Sequence, residues 1–395
     1  MPDSTSLDGT FLQNDDGFTQ SGDEWDVIQV NSRSFSMATR LLPKEMRTDV
    51  AKLYAWCRWC DNAVDDAPSQ AVARHRLQML MQDVKAIYSD QPIQLPASDW
   101  LRELVERYNI PPDLPRDLLR GMESDLKFKP MANDEALLLY CYRVAGVVGL
   151  MMCRVLGVTG QQALEHAKNL GIAMQLTNIA RDIKEDWDRG RCYIPQTWIE
   201  AEDWPNDKVV RRSVNRLLKL AENYYDDGKL GYPALPANSR LGIRIAASLY
   251  REIGTEIENH QFDVLNQRHY ISTSRKLKIV CVELTTDVRQ RFLEVTRAGL
   301  ARFKRPPQEQ ALPWTGGSNL GEPLMKSEFH YLAIFGLSMT LIMATVLFAL
   351  MGMNPKRESY DLLPWIYSGC SAVGAAGLWF WAQCIGRQLD TSQNS

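Results

Sequence analysis

Apolar residues recur with the period of an α-helix along most of this chain. From about Trp25 to Arg302 they fall three and four residues apart, and alternating strand patterns are scarce. Prolines and glycines divide this region into long segments, which indicates helices joined by turns. The sequence contains neither a dinucleotide fingerprint nor a P-loop. The pattern therefore predicts an all-α domain over residues 27–302.

The segment from Tyr54 to Asp66 combines a polar stripe with an apolar one. Tyr54, Arg58, Asp61 and Asp65 lie at offsets 0, 4, 7 and 11, which places them on one face of a helix. A solvated face would instead mix lysine and glutamate without order. The neighbouring apolar stripe consists of Leu53, Cys57, Cys60 and Val64.

A second segment repeats this design. Gln175, Asn178, Asp182 and Asp186 lie at offsets 0, 3, 7 and 11, so each segment holds two carboxylates one helical turn apart. Facing each other across a cavity, the two stripes would bind divalent cations, and the cations would bind a diphosphate. The apolar neighbours of the second stripe are Ile172, Leu176, Ile179 and Ile183.

Such a site fits the ionisation of an allylic diphosphate. Two or three Mg²⁺ ions, or Mn²⁺ in their place, would neutralise the leaving group, and nearby arginine and tyrosine side chains would bind the remaining oxygens. The carbocation that remains needs a dry, apolar cavity. Ala145, Gly146 and Gly149 open space on one helix for such a cavity. Close packing of two helices would explain these small residues equally well.

Composition excludes other classes of function. A net charge of −3 among 24% charged residues gives no sign of a nucleic-acid surface. Cys57 and Cys60 form a CxxC pair, but a zinc or redox site would call for a second pair, so helix packing is the better explanation.

The two ends of the chain differ from its middle. Residues 1–26 are acidic and lack lysine and arginine, which predicts a disordered tail, and residues 303–329 have the composition of a linker. Two uncharged stretches follow in the segment 330–387, at 331–353 and 362–385, each long enough to span a bilayer. We expect a membrane-anchoring helical hairpin with the catalytic domain on the cytoplasmic side; the alternative is a buried core hairpin.

Several motifs together resemble one known family, the trans head-to-head isoprenoid synthases, which include the squalene and phytoene synthases. The first aspartate pair resembles the family's first aspartate-rich motif, and the stripe from Asn178 to Asp186 resembles the second. The segment 31–36 resembles its N-terminal substrate flap, and the segment 190–195 resembles the loop after the second motif. The resemblance covers about residues 28–295 and implies a single α-helical bundle around a central cavity.

The resemblance also implies roles for the matching residues. Asp61, Asp65, Asp182 and Asp186 would bind Mg²⁺, supported by Asn178 and Gln175. Phe35, Val144 and Gly149 would line the prenyl tunnel. The residues implied in binding diphosphate or ordering the flap are Ser32, Ser34, Tyr54, Arg58, Tyr140, Arg181, Tyr193, Tyr250 and Arg268.

The motifs resemble those of phytoene synthases more than those of eukaryotic squalene synthases. This implies condensation of two geranylgeranyl diphosphates with no need for NADPH, at a bilayer shared with downstream desaturases. The alternative is a squalene or dehydrosqualene synthase that uses two farnesyl diphosphates. One feature favours it, because the expected C-terminal anchor resembles that of eukaryotic squalene synthases. A terpene cyclase would share the metal chemistry but not the flap, and a non-catalytic scaffold would have lost the aspartates that this chain retains.

Overall fold

The computed structural model describes Thr39 and the ranges 42–199 and 204–303, with side chains as far as Gln290. Within these ranges every regular element is helical, as predicted. The acidic tail, the linker and both expected membrane segments lie outside the described residues. The α-helices are α1 (Lys44–Asp65), α2 (Gln70–Ile87), α3 (Ala97–Tyr108), α4 (Asp113–Leu126), α5 (Asp134–Cys141), α6 (Val147–Leu156), α7 (Gln161–Asp188), α8 (Asp207–Lys229), α9 (Ala237–Asn259) and α10 (Thr273–Phe303).

Proline marks several helix starts, as the sequence predicts. Pro43, Pro112 and Pro236 stand directly before α1, α4 and α9. Proline fixes its own φ and disfavours helical geometry in the residue before it, so it suits a position where a helix begins. Directly after the last residue of α6, Gly157 adopts a φ of 75°, a left-handed conformation that glycine accepts without strain.

The chain divides into two compact units, of which the first ends at Glu283. The described part of the second unit is the remainder of α10. In the first unit, α1 packs against α2, α3 and α6, and α7 packs against α6, α8 and α9. The core consists of two clusters of buried residues. The cluster between the earlier helices includes Trp56, Leu80 and Met151, and the cluster between the later helices includes Leu176 and Leu217; all five side chains are fully buried.

A π-helical turn at Tyr142–Gly146 joins α5 to α6, so the two form a nearly continuous helix. Within the described ranges, this helix from Asp134 to Leu156 is the one long and apolar enough to cross a membrane. Its residues Leu137, Val147 and Met151 are fully buried in the protein core, which explains its apolar character without a bilayer. Turns of π-helix often occur at functional sites, because they redirect the side chains of a core helix.

Glycines let this helix approach α7 closely. A Cβ added to Gly149 would lie 2.5 Å from the Ala167 carbonyl oxygen, and one added to Gly171 would lie 2.4 Å from that of Ala145. Neither backbone could approach so closely if either glycine carried a side chain. The contacts of Gly149 therefore favour the packing explanation, and its role in lining a tunnel stays a prediction.

Candidate active site

The first carboxylate stripe lies on α1 as predicted, with its apolar neighbours Leu53, Cys60 and Val64 buried. Arg58 Nη1 donates to Asp61 Oδ2 at 2.5 Å. The Asp61 side chain keeps 36% of its surface exposed, yet burial raises its pKa to about 6, against the opposing charge of Arg58. Partial exposure together with strong desolvation is expected of a group that lines a cleft.

Asp65, at the end of α1, pairs with a segment that is distant in sequence. Arg189 Nη1 donates to Asp65 Oδ2 at 2.9 Å, and Arg191 Nη1 donates to Asp65 Oδ1 at 2.7 Å. Both arginines follow the end of α7, so these two hydrogen bonds bring the two aspartate motifs to one end of the bundle. Sequence reasoning assigned no role to either arginine.

The second stripe lies on α7, and its first carboxylate is also paired. Arg181 donates to Asp182 from both Nε and Nη2, at 2.8 and 2.5 Å, in the forked geometry that a guanidinium favours. Arg268 Nη2 lies 3.1 Å from Asp182 Oδ1, and its Nη1 donates to Glu185 at 2.5 Å. Arg268, from the segment between α9 and α10, therefore reaches the second aspartate motif, and its role in binding diphosphate stays a prediction.

Asp186 has a different environment from the other three aspartates. In the part of the chain that the structure describes, no arginine forms an ion pair with it, although Arg191 lies close enough to lower its pKa. Burial and the negative charge of Asp182 nevertheless raise that pKa to about 8. Asp186 and Arg191 line a small pocket whose other walls are Ile179, Ile183, Cys192, Tyr193, Ile194 and Trp204.

The two amides of the second stripe lie together on α7. Asn178 Nδ2 donates to Gln175 Oε1 at 3.4 Å, and the buried Asn178 Oδ1 has no hydrogen-bond partner among the described residues. An unsatisfied buried acceptor beside carboxylates fits a hard cation, which prefers oxygen ligands. In the described ranges no three acidic, histidine or cysteine side chains form a preassembled cation cluster; arginines lie between the carboxylates instead.

Two predicted tyrosines share a carboxylate that the sequence analysis missed. Tyr193 donates to Asp125 Oδ1 at 2.7 Å and Tyr140 donates to Asp125 Oδ2 at 3.0 Å. The signal was present in the sequence, because Asp117, Gly121 and Asp125 recur every four residues on α4. This spacing on α4 does not match either of the two aspartate motifs. Taken alone, it resembles an ordinary solvated helix face.

The other predicted residues are placed as follows. Tyr54 is half-buried on the face of α1 that carries the first motif. Tyr250 lies on α9, near enough to Arg181 to contribute to the raised pKa of that guanidinium. Val144 packs toward Gly121 of α4, so tunnel lining by Val144 stays a prediction. Ser32, Ser34 and Phe35 lie outside the described residues. Cys57 and Cys60 are free thiols, and Cys60 is buried in the core, which agrees with a packing role.

Comparison with known proteins identifies the family. The sequence model for "Squalene/phytoene synthase" matches residues 28–275, well over half of the chain and including both aspartate motifs. The chain belongs to the squalene/phytoene synthase family. As a member, it shares the family's prenyltransferase class, and the resemblance noted from its motifs is confirmed.

Curated members of this family extend the comparison. The chain is 35% identical to the 15-cis-phytoene synthase of Pantoea ananas over 271 residues, which cover 65% of this chain and 88% of that protein. It is 37% identical to the 15-cis-phytoene synthase of Enterobacter agglomerans over 273 residues, covering 64% and 91% respectively. A crystal structure of a dehydrosqualene synthase in complex with ligand matches with a TM-score of 0.61 at 27% identity, covering 67% of this chain and 94% of that one.

Proposed function

We propose that this protein is a phytoene synthase. It condenses two geranylgeranyl diphosphates through a cyclopropyl diphosphate and releases diphosphate, as a step of carotenoid biosynthesis. The observation that carries the proposal is the convergence of two carboxylate motifs and their arginines at one end of a helical bundle. The 35 and 37% identity to two 15-cis-phytoene synthases supports the choice of product.

Mg²⁺ is the proposed cofactor, as two or three ions, and Mn²⁺ is an expected substitute. When bound, the metal would neutralise charge on the diphosphate and make it a better leaving group. The residues that would hold it offer oxygen ligands only, and the unsatisfied Asn178 Oδ1 fits that role. They are Asp61, Asp65, Asn178, Asp182 and Asp186.

The arginines that neutralise these carboxylates would bind the substrate's diphosphate. Each guanidinium presents five N–H donors in a planar fork, a geometry that matches the oxygens of a diphosphate. Arg181 and Arg268 reach the second motif, whereas Arg58 and Arg191 reach the first. These groups would hold the leaving diphosphate while the apolar residues of the bundle keep water from the carbocation.

A second candidate product is a C30 hydrocarbon made from two farnesyl diphosphates. The observation that favours it is the similarity to a solved dehydrosqualene synthase at 27% identity. Phytoene and dehydrosqualene formation both end in loss of a proton, whereas squalene formation ends instead in capture of a hydride from NADPH. Chain length and dependence on NADPH therefore separate the three products.

The test incubates the purified full-length protein with Mg²⁺ and either the C15 or the C20 diphosphate, with and without NADPH, and identifies the hydrocarbon. We expect a C40 product from the C20 substrate, formed without NADPH and lost when EDTA is added. A C30 product with the C20 substrate left unused would refute the phytoene assignment. Full activity in EDTA would refute the need for a metal.

We further propose that the segments 331–353 and 362–385 anchor the protein in a bilayer, with the catalytic domain on the cytoplasmic side. The anchored enzyme would release its water-insoluble product at the bilayer, where downstream desaturases can take it up. Full-length protein in cell membranes should resist extraction at alkaline pH, and its catalytic domain should be cleaved by protease added from the cytoplasmic side only. Extraction into the soluble fraction would contradict the anchor.

A further inference from the structure

Asp125, near the end of α4, connects three elements of the candidate active site. Its two carboxylate oxygens each accept one tyrosine hydroxyl, from Tyr193 at 2.7 Å and from Tyr140 at 3.0 Å. Tyr140 belongs to α5, just before the π-helical turn, and Tyr193 belongs to the segment after α7. One side chain of α4 thus fixes groups from two distant parts of the chain.

The two tyrosines also stack on each other. Their ring centroids lie 4.5 Å apart with an interplanar angle of 23°, and Phe128 meets the Tyr193 ring edge-on at 5.4 Å. A carboxylate can only accept hydrogen bonds, so each tyrosine directs its single hydroxyl proton at Asp125. That proton is then not available to a substrate oxygen, which limits each tyrosine to presenting its ring or an oxygen lone pair.

The segment that carries Tyr193 also carries the arginines of the first motif. Arg189 and Arg191 donate to Asp65 of α1, and they lie four and two residues before the tyrosine that donates to Asp125. The segment is therefore held at two points, one on α1 and one on α4. Releasing the second point would free the chain that aims Arg191 at Asp65.

We propose that Asp125 is a positioning residue of the proposed prenyltransferase reaction. It holds the stacked pair Tyr140 and Tyr193 in one orientation and, through Tyr193, keeps Arg191 directed at the first aspartate motif. The inference rests on the proposed function, because it assigns Asp125 to the same site. The proposed role differs from metal binding, because Asp125 acts through the two tyrosine hydroxyls whose protons it accepts.

The test is a double-mutant cycle of Asp125→Asn and Tyr193→Phe in the full-length protein, with steady-state kinetics on the C20 diphosphate. We expect each single variant to lower kcat by about 100-fold, the cost of slight misplacement of groups around a reacting centre. The KM should stay within about threefold, because every arginine proposed to bind the diphosphate is retained. The double variant should be no slower than the worse single variant, as expected for residues that act as one unit.

Asp117→Asn is the matched control, since Asp117 lies two turns earlier on the same face of α4 and contacts Tyr142 at 3.5 Å. We expect its kcat within about threefold of the wild type, as for most substitutions away from a site. Thermal unfolding of each variant shows whether it is folded. If Asp125→Asn does not fold, Tyr193→Phe and Tyr140→Phe carry the test, because each removes one hydroxyl alone.

Three outcomes would overturn the inference while leaving the proposed function in place. They are kcat near the wild-type value in Asp125→Asn or in both tyrosine variants, losses that multiply in the double variant, and an increase in KM with kcat unchanged. A wild-type protein that converts neither the C15 nor the C20 diphosphate would refute the proposed function, and this inference with it. If only the C15 substrate is converted, the same cycle is measured with that substrate.

Discussion

The two aspartate motifs have the same spacing on two helices, but the folded protein gives them different surroundings. On α1, Arg58 pairs with Asp61, and two arginines from beyond α7 pair with Asp65. On α7, Arg181 and Arg268 both pair with Asp182. Among the described residues none pairs with Asp186, whose pKa rises to about 8.

The difference shows how four neighbouring carboxylates can be accommodated in one site without a cation. Three carboxylates are neutralised by arginines, so their mutual repulsion is limited. The fourth, Asp186, has no such partner among the described residues, and burial with the charge of Asp182 raises its pKa to about 8, which favours its protonated form near pH 7. The second motif should therefore gain most when a cation arrives, since a cation can replace that proton.

The most severe test of the comparison removes one paired carboxylate from each motif. Asp61→Asn and Asp182→Asn should each lower diphosphate release by about 10³-fold, the upper range for losing one group that stabilises transition-state charge. Asp188→Asn, at the exposed end of α7 where Lys184 pairs with it, is the control and should stay near the wild-type rate. If one motif tolerates its substitution, the two motifs do not form one site.

The arginines that bridge the motifs should differ in importance. Arg191 is 12% exposed and Arg189 is 48% exposed. Exposed ion pairs contribute little, so we expect Arg191→Gln to lower kcat/KM by about 100-fold and Arg189→Gln by less than about fivefold. Equal effects in steady-state kinetics would mean that the two arginines bridge the motifs interchangeably.

Asp186 should limit the stability of the metal-free protein. The folded carboxyl titrates near pH 8 and the unfolded one near 3.8, so the folded state binds more protons between these values. The free energy of unfolding should therefore fall as pH rises through that window. Asp186→Asn should remove much of this fall and stabilise the protein at pH 7 by about 2 kcal/mol, roughly 30-fold in the folding equilibrium.

Urea denaturation without added metal, at pH 5 and pH 7, measures this effect. Asp65→Asn is the comparison and should destabilise the protein, because it removes the partner of two arginines. An Asp186→Asn protein whose stability changes with pH as much as the wild type does would show that Asp186 is already ionised when folded.

The smallest effect concerns the arginines within each helix. Arg181 donates to Asp182 from both Nε and Nη2, whereas Arg58 donates to Asp61 from Nη1. A lysine cannot reproduce a forked contact, and the Arg58–Asp61 pair is about twice as exposed as the Arg181–Asp182 pair, so Arg181→Lys should lower kcat by about tenfold and Arg58→Lys by about threefold or less. A larger loss at Arg58 would indicate that its fork is used on the substrate instead.

Much of this site could be predicted because it is helical and periodic. Asp61, Asp65, Asp182 and Asp186 were recognised from one repeated spacing, and the structure places all four on helix faces bordered by buried residues. Asp125 was missed because its meaning depends on tyrosines 15 and 68 residues away. No local pattern records which distant hydroxyls a carboxylate will meet.

The sequence by itself determined which helix faces bear carboxylates and which are buried, because a 3.6-residue period converts spacing directly into a face. It also determined the family. The tertiary structure decided which carboxylates pair with which arginines: two arginines pair with Asp65, whereas burial and the charge of Asp182 raise the pKa of Asp186. Such pairing depends on how the ends of α1, α4 and α7 meet, and that is set by the packing of the whole bundle.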